Sequence, residues 1–178
     1  MTTLSIYAQP YQDAEGFHFS TVEEYRNKAA KNFDPFGQLI EEYQHIIIDG
    51  DLLECNLWQA MGGDGRASYY LFLKILEELD DETIQLIIAR YKADTYQLYD
   101  SVQEYVRATE DMQIYYLDGF GDPYKQLAEQ FVDEGLFGDI PSHLENYIDY
   151  DAIGRDLKFN GYVHISLDSN QDAMVRID

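Results

Sequence analysis

The chain is poor in cysteine, in long apolar runs and in positive charge. Its only cysteine, Cys55, excludes an intramolecular disulfide and fits a reducing cytoplasm. No apolar run reaches the roughly 18 residues that a membrane-spanning helix needs. The opening segment MTTLSIYAQP has neither a basic stretch nor a long apolar one, so we do not expect a secretory signal. These absences predict a cytoplasmic protein with no membrane partner.

Cations are scarce: 12 Lys and Arg face 34 Asp and Glu, which gives a formal net charge of −22. Such a surface repels nucleic acids and anionic membranes and attracts cationic partners. Apolar residues make up 46% and aromatic residues 15% of the chain, enough to form a core, so we do not expect a disordered acidic tail. Solubility or adaptation to high salt would also account for an acidic surface.

Hydrophobic periodicity in the first 65 residues predicts a mixture of strands and helices. We expect strands at 4–9 and 43–49 and helices at 20–32 and 52–61. Ser20 and Glu23 are spaced as a capping box at the start of the first helix. The glycine cluster at 62–65 is the best candidate for a boundary.

The middle of the chain is helical in pattern, and the last third again mixes both types of element. Helices are predicted at 68–79 and 82–93, followed by two short helices capped by Asp94 and by Asp100 or Ser101. Next come a strand at 112–118, a helix at 122–134 and a helix-like acidic stretch at 146–157. Asp122, Pro123 and Gly135 have the order expected at the ends of the 122–134 helix. Two strands at 162–167 and 173–178 are predicted to form a hairpin.

We therefore predict an α+β protein built from three small consecutive units: an α+β unit (1–65), a helical unit (66–111) and an α+β unit (112–178). Segments of this size bury too little surface to be robust alone. We expect them to share cores end to end or to lean on a second subunit. Three small units in a row favour an elongated molecule.

The placement of the acids does not serve helix stability. Between 93 and 154 there are 14 acids and two bases, and the acids are dispersed, unlike those of a disordered tail. Glu129 and Asp133 lie one helical turn apart, where like charges repel. Glu77, Glu78 and Asp80 crowd a helix C-terminus, where negative charge opposes the helix dipole. A binding function explains this placement better than a stabilising one.

DNA offers a measure for the charge density. B-form duplex carries one negative charge per roughly 1.7 Å of axis, so 34 carboxylates match about 17 base pairs, or roughly 58 Å of duplex. A compact globule of this length would be only about 40 Å across. An elongated monomer or a dimer could therefore present carboxylates at DNA-like density to the basic groove of a DNA-binding protein.

The segment LAEQFVDEGLFGDIPSHLENYIDYDAIGRDLKFNG (127–161) resembles the C-terminal signature of the ArdA-type antirestriction proteins. The resemblance rests on "EGLFGDIP" after an acidic helix and on the pattern L-x-N-Y-I-D-Y-x-A-I-x-R-D-L. The preceding "IYYLDGF" is a looser fit, and the first 65 residues do not closely match the family's usual opening.

This resemblance implies a function. Antirestriction proteins of this type are encoded on conjugative elements and phages, and they are elongated, dimeric mimics of bent B-form DNA. They occupy the DNA groove of type I restriction–modification enzymes and of their methyltransferase core, without catalysis and without a cofactor. In the family, the stretch matching about 127–157 carries the antirestriction motif and is linked with the unit that joins the two subunits.

The resemblance and the charge pattern together select the candidate site residues. The resemblance carries over as phosphate mimics Glu129, Asp133, Glu134, Asp139, Glu145, Asp149, Asp151 and Asp156. Charge placement adds Glu77, Glu78, Asp80, Asp81, Glu82, Asp94, Asp100, Glu104, Glu110, Asp111, Asp118 and Asp122. Candidates for a subunit contact, each of which could instead be monomer core, are Phe131, Leu136, Phe137, Tyr147 and Ile148.

Two other functions stay open at this point. The protein could be an acidic interaction module that binds another basic protein, or, with less support, a glycoside hydrolase that uses a pair of carboxylates. With 34 acids any pair spacing can be found, so spacing alone does not favour the hydrolase. The stretch from Asp149 to Gly154 begins like a calcium loop, but Ile153 and Asn160 stand where oxygen ligands are required, so we expect no calcium site. We predict no metal and no cofactor.

Overall fold

The computed structural model describes residues 4–63, 65–93, 97–118, 120–167 and 171–177. It confirms the predicted α+β class, with helices packed around two three-stranded antiparallel sheets. The strands are β1 (Ser5–Pro10), β2 (Phe17–Phe19), β3 (Tyr43–Asp49), β4 (Met112–Leu117), β5 (Val163–Ser166) and β6 (Asp172–Ile177). The helices are α1 (Val22–Ala29), α2 (Leu52–Ala60), α3 (Tyr69–Glu78), α4 (Asp81–Ala93), α5 (Val102–Glu110), α6 (Pro123–Asp133) and α7 (Tyr150–Phe159).

The N-terminal sheet has the strand order β2-β1-β3, so β1 lies in the centre. Ile6 pairs with Phe19 on one side and with Ile47 on the other. The sequence pattern did not predict β2, because three residues are too few to show a period. Gly16 precedes this strand, and a Cβ there would lie 2.5 Å from the Ala8 carbonyl oxygen. Glycine therefore allows the chain to turn back closely against β1.

Helix α1 begins one residue later than the predicted capping box. Thr21 is the N-cap, and its hydroxyl accepts a hydrogen bond from the Glu24 N–H at 3.1 Å. The Glu24 carboxylate in turn accepts from the Ser20 N–H at 2.8 Å, and this bond lowers the pKa of Glu24. The prediction of Ser20 with Glu23 was wrong because Ser and Thr, like two successive glutamates, serve equally well in this motif.

One apolar core joins residues 4–61 to the helices α3, α4 and α5. Trp58 and Phe72 lie at its centre, with ring centroids 5.0 Å apart in an edge-to-face arrangement. The buried residues of this core are Ile6, Ala8, Phe19, Ile40, Tyr43, Leu57, Trp58, Ala60, Met61, Phe72, Leu73, Ile75, Ile84, Ile87, Ile88, Val102 and Tyr105. The division at residue 65 stays a prediction, but the two segments on either side share this core.

The predicted helices of the central region are present with one exception. The Ser101 hydroxyl caps α5 by accepting from the Glu104 N–H at 3.3 Å, as predicted. Asp94, predicted to cap a further helix, lies outside the described residues, and the described residues 97–99 that follow it are not helical. Within the described residues, no helix is long and apolar enough to cross a membrane.

The C-terminal sheet has the strand order β4-β6-β5 and is covered by helices on both faces. The predicted β5–β6 hairpin is confirmed, with Ile165 paired to Ala173. Met174 packs with the apolar residues of α6 and α7, whereas Ala173 and Val175 pack with Ala89 of α4. The alternation along β6 therefore buries one face against α6 and α7 and the other against the central region.

Helices α6 and α7 pack closely against each other. Asp122 caps α6 and Pro123 begins it, as predicted. The acidic stretch predicted as one helix at 146–157 is instead a short 3₁₀ turn at Glu145–Tyr147 followed by α7. Gly154 is buried, and a Cβ there would lie 3.1 Å from the backbone of Tyr124. The glycine thus sets how closely the two acidic helices approach.

Candidate partner-binding surface

The predicted phosphate mimics lie on the surface. Nineteen of the twenty carboxylates fall within the described residues, and all nineteen side chains are exposed; Asp94 lies outside those residues. The described residues also include no buried charged side chain. These carboxylates can therefore contact a partner without any rearrangement of the core.

Hydrogen bonds to the backbone hold several of these carboxylates in place. Asp122 Oδ1 accepts from the N–H groups of Tyr124 and Lys125, both at 3.0 Å. Asp149 Oδ1 accepts from the Ala152 N–H at 2.9 Å, and Asp80 Oδ1 accepts from the Thr83 N–H at 2.8 Å. The bond from Thr83 lowers the pKa of Asp80. Helix capping thus gives these negative charges fixed positions on the surface.

The largest concentration of predicted residues lines a groove between β4 and α6. This groove, which we call the acidic groove, has a volume of about 530 Å³. Its lining residues are Tyr116, Leu117, Asp118, Gln126, Glu129, Gln130, Asp133 and Glu134. Four of them are predicted phosphate mimics, and the Glu134 carboxylate accepts from the Gln130 side-chain amide at 2.8 Å. The fold therefore brings Asp118, which precedes α6, onto the same surface as the acids of α6.

A second depression lies beside α5 and has a volume of about 490 Å³. Asp100, Glu104 and Asp111 line it together with Arg107. The Glu104 carboxylate accepts from the Asp100 N–H at 3.0 Å, which ties the loop to the helix. The fold thus brings three more predicted carboxylates together, with one cation among them.

Asp122 and Asp151 lie in a different environment, a cleft of about 250 Å³ between α6 and α7. Three cations line this cleft with them: Lys125, Arg155 and Lys158. The sequence does not show this grouping directly, because Lys125 is far from the other two along the chain. The close packing of α7 on α6 brings the three cations together, so this cleft is less negative than the acidic groove.

The candidate carboxylate of Glu78 forms an ion pair with Lys74, at 3.0 Å. The hydrogen bond to Glu78 raises the pKa of Lys74. Lys74 offsets part of the unfavourable charge at the end of α3, and Asp80 serves the start of α4. The crowding of acids at 77–82 is therefore less costly to stability than the sequence alone indicated.

The apolar residues predicted for a subunit contact fall into two groups. Phe131 is 3% exposed and packs against Tyr115 and Tyr162, so it belongs to the monomer core and cannot contact a second subunit directly. We correct the prediction at this position, because the apolar stripe of α6 faces the sheet. Leu136, Phe137 and Tyr147 are exposed, at 55%, 54% and 83% respectively, and Ile148 is partly buried.

Sequence reasoning did not single out one exposed apolar turn in the N-terminal region. Phe36 is 88% exposed at the tip of a turn in which Asp34 Oδ1 accepts from the N–H groups of Phe36 and Gln38. The sequence Asp34-Pro35-Phe36-Gly37 is typical of a turn, but it does not indicate that the Phe36 side chain is exposed. Within the described residues, no group of three or more His, Cys, Asp and Glu side chains could hold a metal ion.

Comparison with known proteins agrees with the C-terminal motif. The family model described as antirestriction protein (ArdA) matches residues 9–169, which is nearly the whole chain and includes strands β2 and β3 of the N-terminal sheet. No protein of curated function matches the chain significantly. The match extends well beyond the 35-residue motif and covers the acidic groove, the depression beside α5 and the cleft between α6 and α7. The chain therefore belongs to the ArdA family of antirestriction proteins, which counter restriction–modification enzymes.

Proposed function

We propose that the protein acts as a DNA mimic: its carboxylates take the place of phosphates in the DNA-binding groove of a type I restriction–modification enzyme. The observation that carries the proposal is the exposure of all nineteen described candidate carboxylates, several of them held by helix caps. DNA itself is not a ligand, because the surface repels it. Neither catalysis nor a cofactor is needed for this function.

Electrostatics gives the driving force. A DNA-binding groove gains affinity when its Lys and Arg side chains release the counterions condensed on phosphates. A folded surface with fixed carboxylates and few neighbouring cations attracts the same side chains. The acidic groove offers four such carboxylates along one face and the depression beside α5 offers three. The proposal therefore assigns these two surfaces to the enzyme and not the mixed-charge cleft.

We also propose that the protein acts as a homodimer joined near residues 136–148. Exposed large apolar side chains that lie close together mark interaction sites. Leu136, Phe137 and Tyr147 lie between the acids of α6 and α7 in sequence, so joining two copies there would extend the negative surface. Light scattering tests this part: wild type should have twice the monomer mass, and the double substitution Leu136→Ser, Tyr147→Ser should shift the mass towards that of the monomer.

A competition experiment tests the mimic directly. A fluorescent duplex carrying the recognition sequence is bound to a purified type I methyltransferase, and the protein is titrated in at low salt while anisotropy is measured. We expect the duplex to be displaced competitively, with an inhibition constant that weakens steeply as salt is raised. The outcome that contradicts the proposal is an unchanged affinity of the methyltransferase for DNA.

The same experiment separates the mimic from an acidic interaction module. A module that binds elsewhere on the enzyme would form a complex, visible by size-exclusion chromatography, in which the duplex is still bound. A mimic cannot share the groove with DNA. A ternary complex would therefore favour the module, and mutually exclusive binding would favour the mimic.

A further inference from the structure

Two side chains, one from α2 and one from α4, converge on the end of strand β5. Lys92, in the last turn of α4, donates from Nζ to the carbonyl oxygens of Ser166 at 2.7 Å and Leu167 at 3.1 Å. Asn56 of α2 donates from Nδ2 to the same Leu167 carbonyl at 3.2 Å. Both donors reach across more than 70 positions of sequence to one short piece of backbone. We call these four residues the joint.

Apolar packing surrounds these hydrogen bonds. Ala89 is fully buried and lies one turn before Lys92 on α4, packed with the inward side chains of β5 and β6. Leu167 also lines a crevice of about 180 Å³ beside Asn56. The Leu167 N–H donates to the Gln171 carbonyl at 2.9 Å, which closes the hairpin beneath the joint. The hydrogen bonds of Lys92 and Asn56 therefore lie at the edge of an apolar contact that packs α2 and α4 against the C-terminal sheet.

The connectivity makes this contact mechanically important. The chain passes from α5 into β4 at Asp111, and the helices and strands described after this residue are those of the C-terminal sheet with α6 and α7. A single covalent connection leaves rotation possible about that point. The joint provides a second attachment, at the opposite edge of the sheet from β4, because the strand order is β4-β6-β5. Two attachments at opposite edges, together with the packing of Ala89 on the sheet, are expected to restrict this rotation.

We propose that Lys92 and Asn56 are positioning residues that fix the acidic groove relative to the depression beside α5. The inference rests on the proposed function, since a mimic must present both sets of carboxylates at the spacing of one duplex. Asn56 is neutral, and the positive charge of Lys92 reduces the net negative charge of the protein. Their contribution to inhibition is geometric.

The substitution Lys92→Met tests this geometry against simple charge. It keeps the apolar part of the side chain but removes the cation, so the formal net charge becomes more negative by one. Charge alone predicts equal or tighter inhibition. The loss of two charge-assisted hydrogen bonds to the joint predicts inhibition weakened by about tenfold in the duplex-displacement assay. Lys31→Met is the matched control: it makes the same charge change at an exposed position and should inhibit at least as well as wild type.

A distance measurement separates positioning from general stability. Spin labels at the exposed positions Gln103 on α5 and Asn160 after α7 report the separation of the two regions, in a Cys55→Ala background. We expect one narrow distance distribution for wild type and Lys31→Met and a broadened one for Lys92→Met. Lys92→Arg, which can still donate to both carbonyls, should restore both the narrow distribution and the inhibition.

Asn56→Ala keeps the proposal testable if Lys92→Met folds poorly. It changes no charge and removes one neutral hydrogen bond, so we expect about threefold weaker inhibition and a smaller broadening. Inhibition by Lys92→Met or Asn56→Ala at the wild-type level, with unchanged distances, would overturn the inference. If wild type itself fails to displace the duplex, the proposed function fails, whereas the distance measurement still decides whether the joint holds the two regions together.

Discussion

Two regions of the chain differ in the balance of acidic and basic residues. Residues 16–40 contain three acids and three bases, whereas residues 93–154 contain fourteen acids and two bases. In the first region the charges serve local structure: Lys28 Nζ donates to the His18 carbonyl at 2.6 Å, and Glu24 completes the cap of α1. In the second region the described carboxylates are exposed to solvent, and seven of them line the acidic groove or the depression beside α5.

The contrast between these regions bears on why the protein is acidic. Solubility or adaptation to salt would be served by negative charge spread over the whole surface. Residues 16–40 have balanced charge and include the exposed side chain of Phe36, so they do not fit a uniformly negative surface. Concentrated charge in the second half fits a surface that a basic partner must recognise.

The largest effect is expected from neutralising the acidic groove. The quadruple variant Asp118→Asn, Glu129→Gln, Asp133→Asn, Glu134→Gln removes four negative charges and leaves the core unchanged. At about 0.2–1 kcal/mol for each exposed charge, we expect duplex displacement to weaken by roughly one to two orders of magnitude. The inhibition constant from the anisotropy assay is the measurement.

A matched quadruple variant at positions that flank residues 16–40 controls for total charge. Asp13→Asn, Glu15→Gln, Glu41→Gln and Glu42→Gln remove the same charge from exposed positions of the N-terminal region. We expect a change of less than about threefold, because long-range attraction is screened beyond roughly 10 Å at ordinary salt. Equal losses in the two variants would mean that total charge, and not its placement, determines inhibition.

The substitution Gly154→Val should loosen the acidic region without changing its charge. The Cβ would stand 3.1 Å from the Tyr124 backbone, which cannot move aside as a flexible side chain could. Overpacking of this kind costs about 1–3 kcal/mol, measured as a lower free energy of unfolding in urea. Gly65→Ala, where nothing lies within 4 Å of the added Cβ, is the control and should leave stability within about 0.5 kcal/mol. A Gly154→Val protein as stable as the control would show that α6 and α7 are not tightly packed.

The stability of the N-terminal region is expected to depend on pH through His45, which packs among the rings of Phe19, Tyr25 and Tyr69. Its Nε2 is buried without a hydrogen-bond partner, and burial lowers its pKa from 6.5 to about 4. Between these values the unfolded chain binds a proton that the folded chain does not. The free energy of unfolding should therefore fall as pH drops from about 6.5 towards 4, by on the order of 1 kcal/mol after allowance for solvent screening.

Comparison of two histidine variants isolates this contribution from that of the many carboxylates. His45→Phe should flatten the dependence of stability on pH over this window relative to wild type. His143→Gln, at an exposed position, should leave the dependence unchanged. Unfolding in urea at several pH values provides the measurement, and parallel curves for wild type and His45→Phe would contradict the prediction.

The smallest effect is expected from single substitutions. Asp133→Asn alone should weaken duplex displacement by about twofold, because each exposed charge contributes only a few tenths of a kcal/mol. The sum over many positions gives a graded loss. If one carboxylate substitution abolished inhibition, it would indicate a single essential group and contradict the mimic.

Local signals predicted most of the elements. The β-branched stretch at 43–49 forms β3 with the predicted bounds, and Asp122 with Pro123 starts α6 as predicted. Errors arose where signals are short or duplicated: β2 has three residues, and Ser20 and Thr21 are equivalent candidates for the cap of α1. The burial of both faces of the C-terminal sheet depends on contacts with α4, which no local pattern contains.

Exposure of the candidate site could be predicted from residue type, but the grouping of its residues could not. Acidic side chains are rarely buried, so the surface position of Asp118 or Glu129 was expected. Their meeting in one groove depends on how α6 packs beside β4. The same tertiary packing places Lys125 with Arg155, which the linear charge pattern did not show, and buries Phe131.

The most direct test of the account is the structure of the protein bound to a type I methyltransferase, superposed on the same enzyme bound to DNA. We predict that the carboxylates of the acidic groove and of α5 lie where phosphates lie in the DNA complex, opposite the same enzyme side chains. An inhibitor bound outside the groove, or one that turns residues 16–40 towards the enzyme and its acids towards solvent, would contradict it.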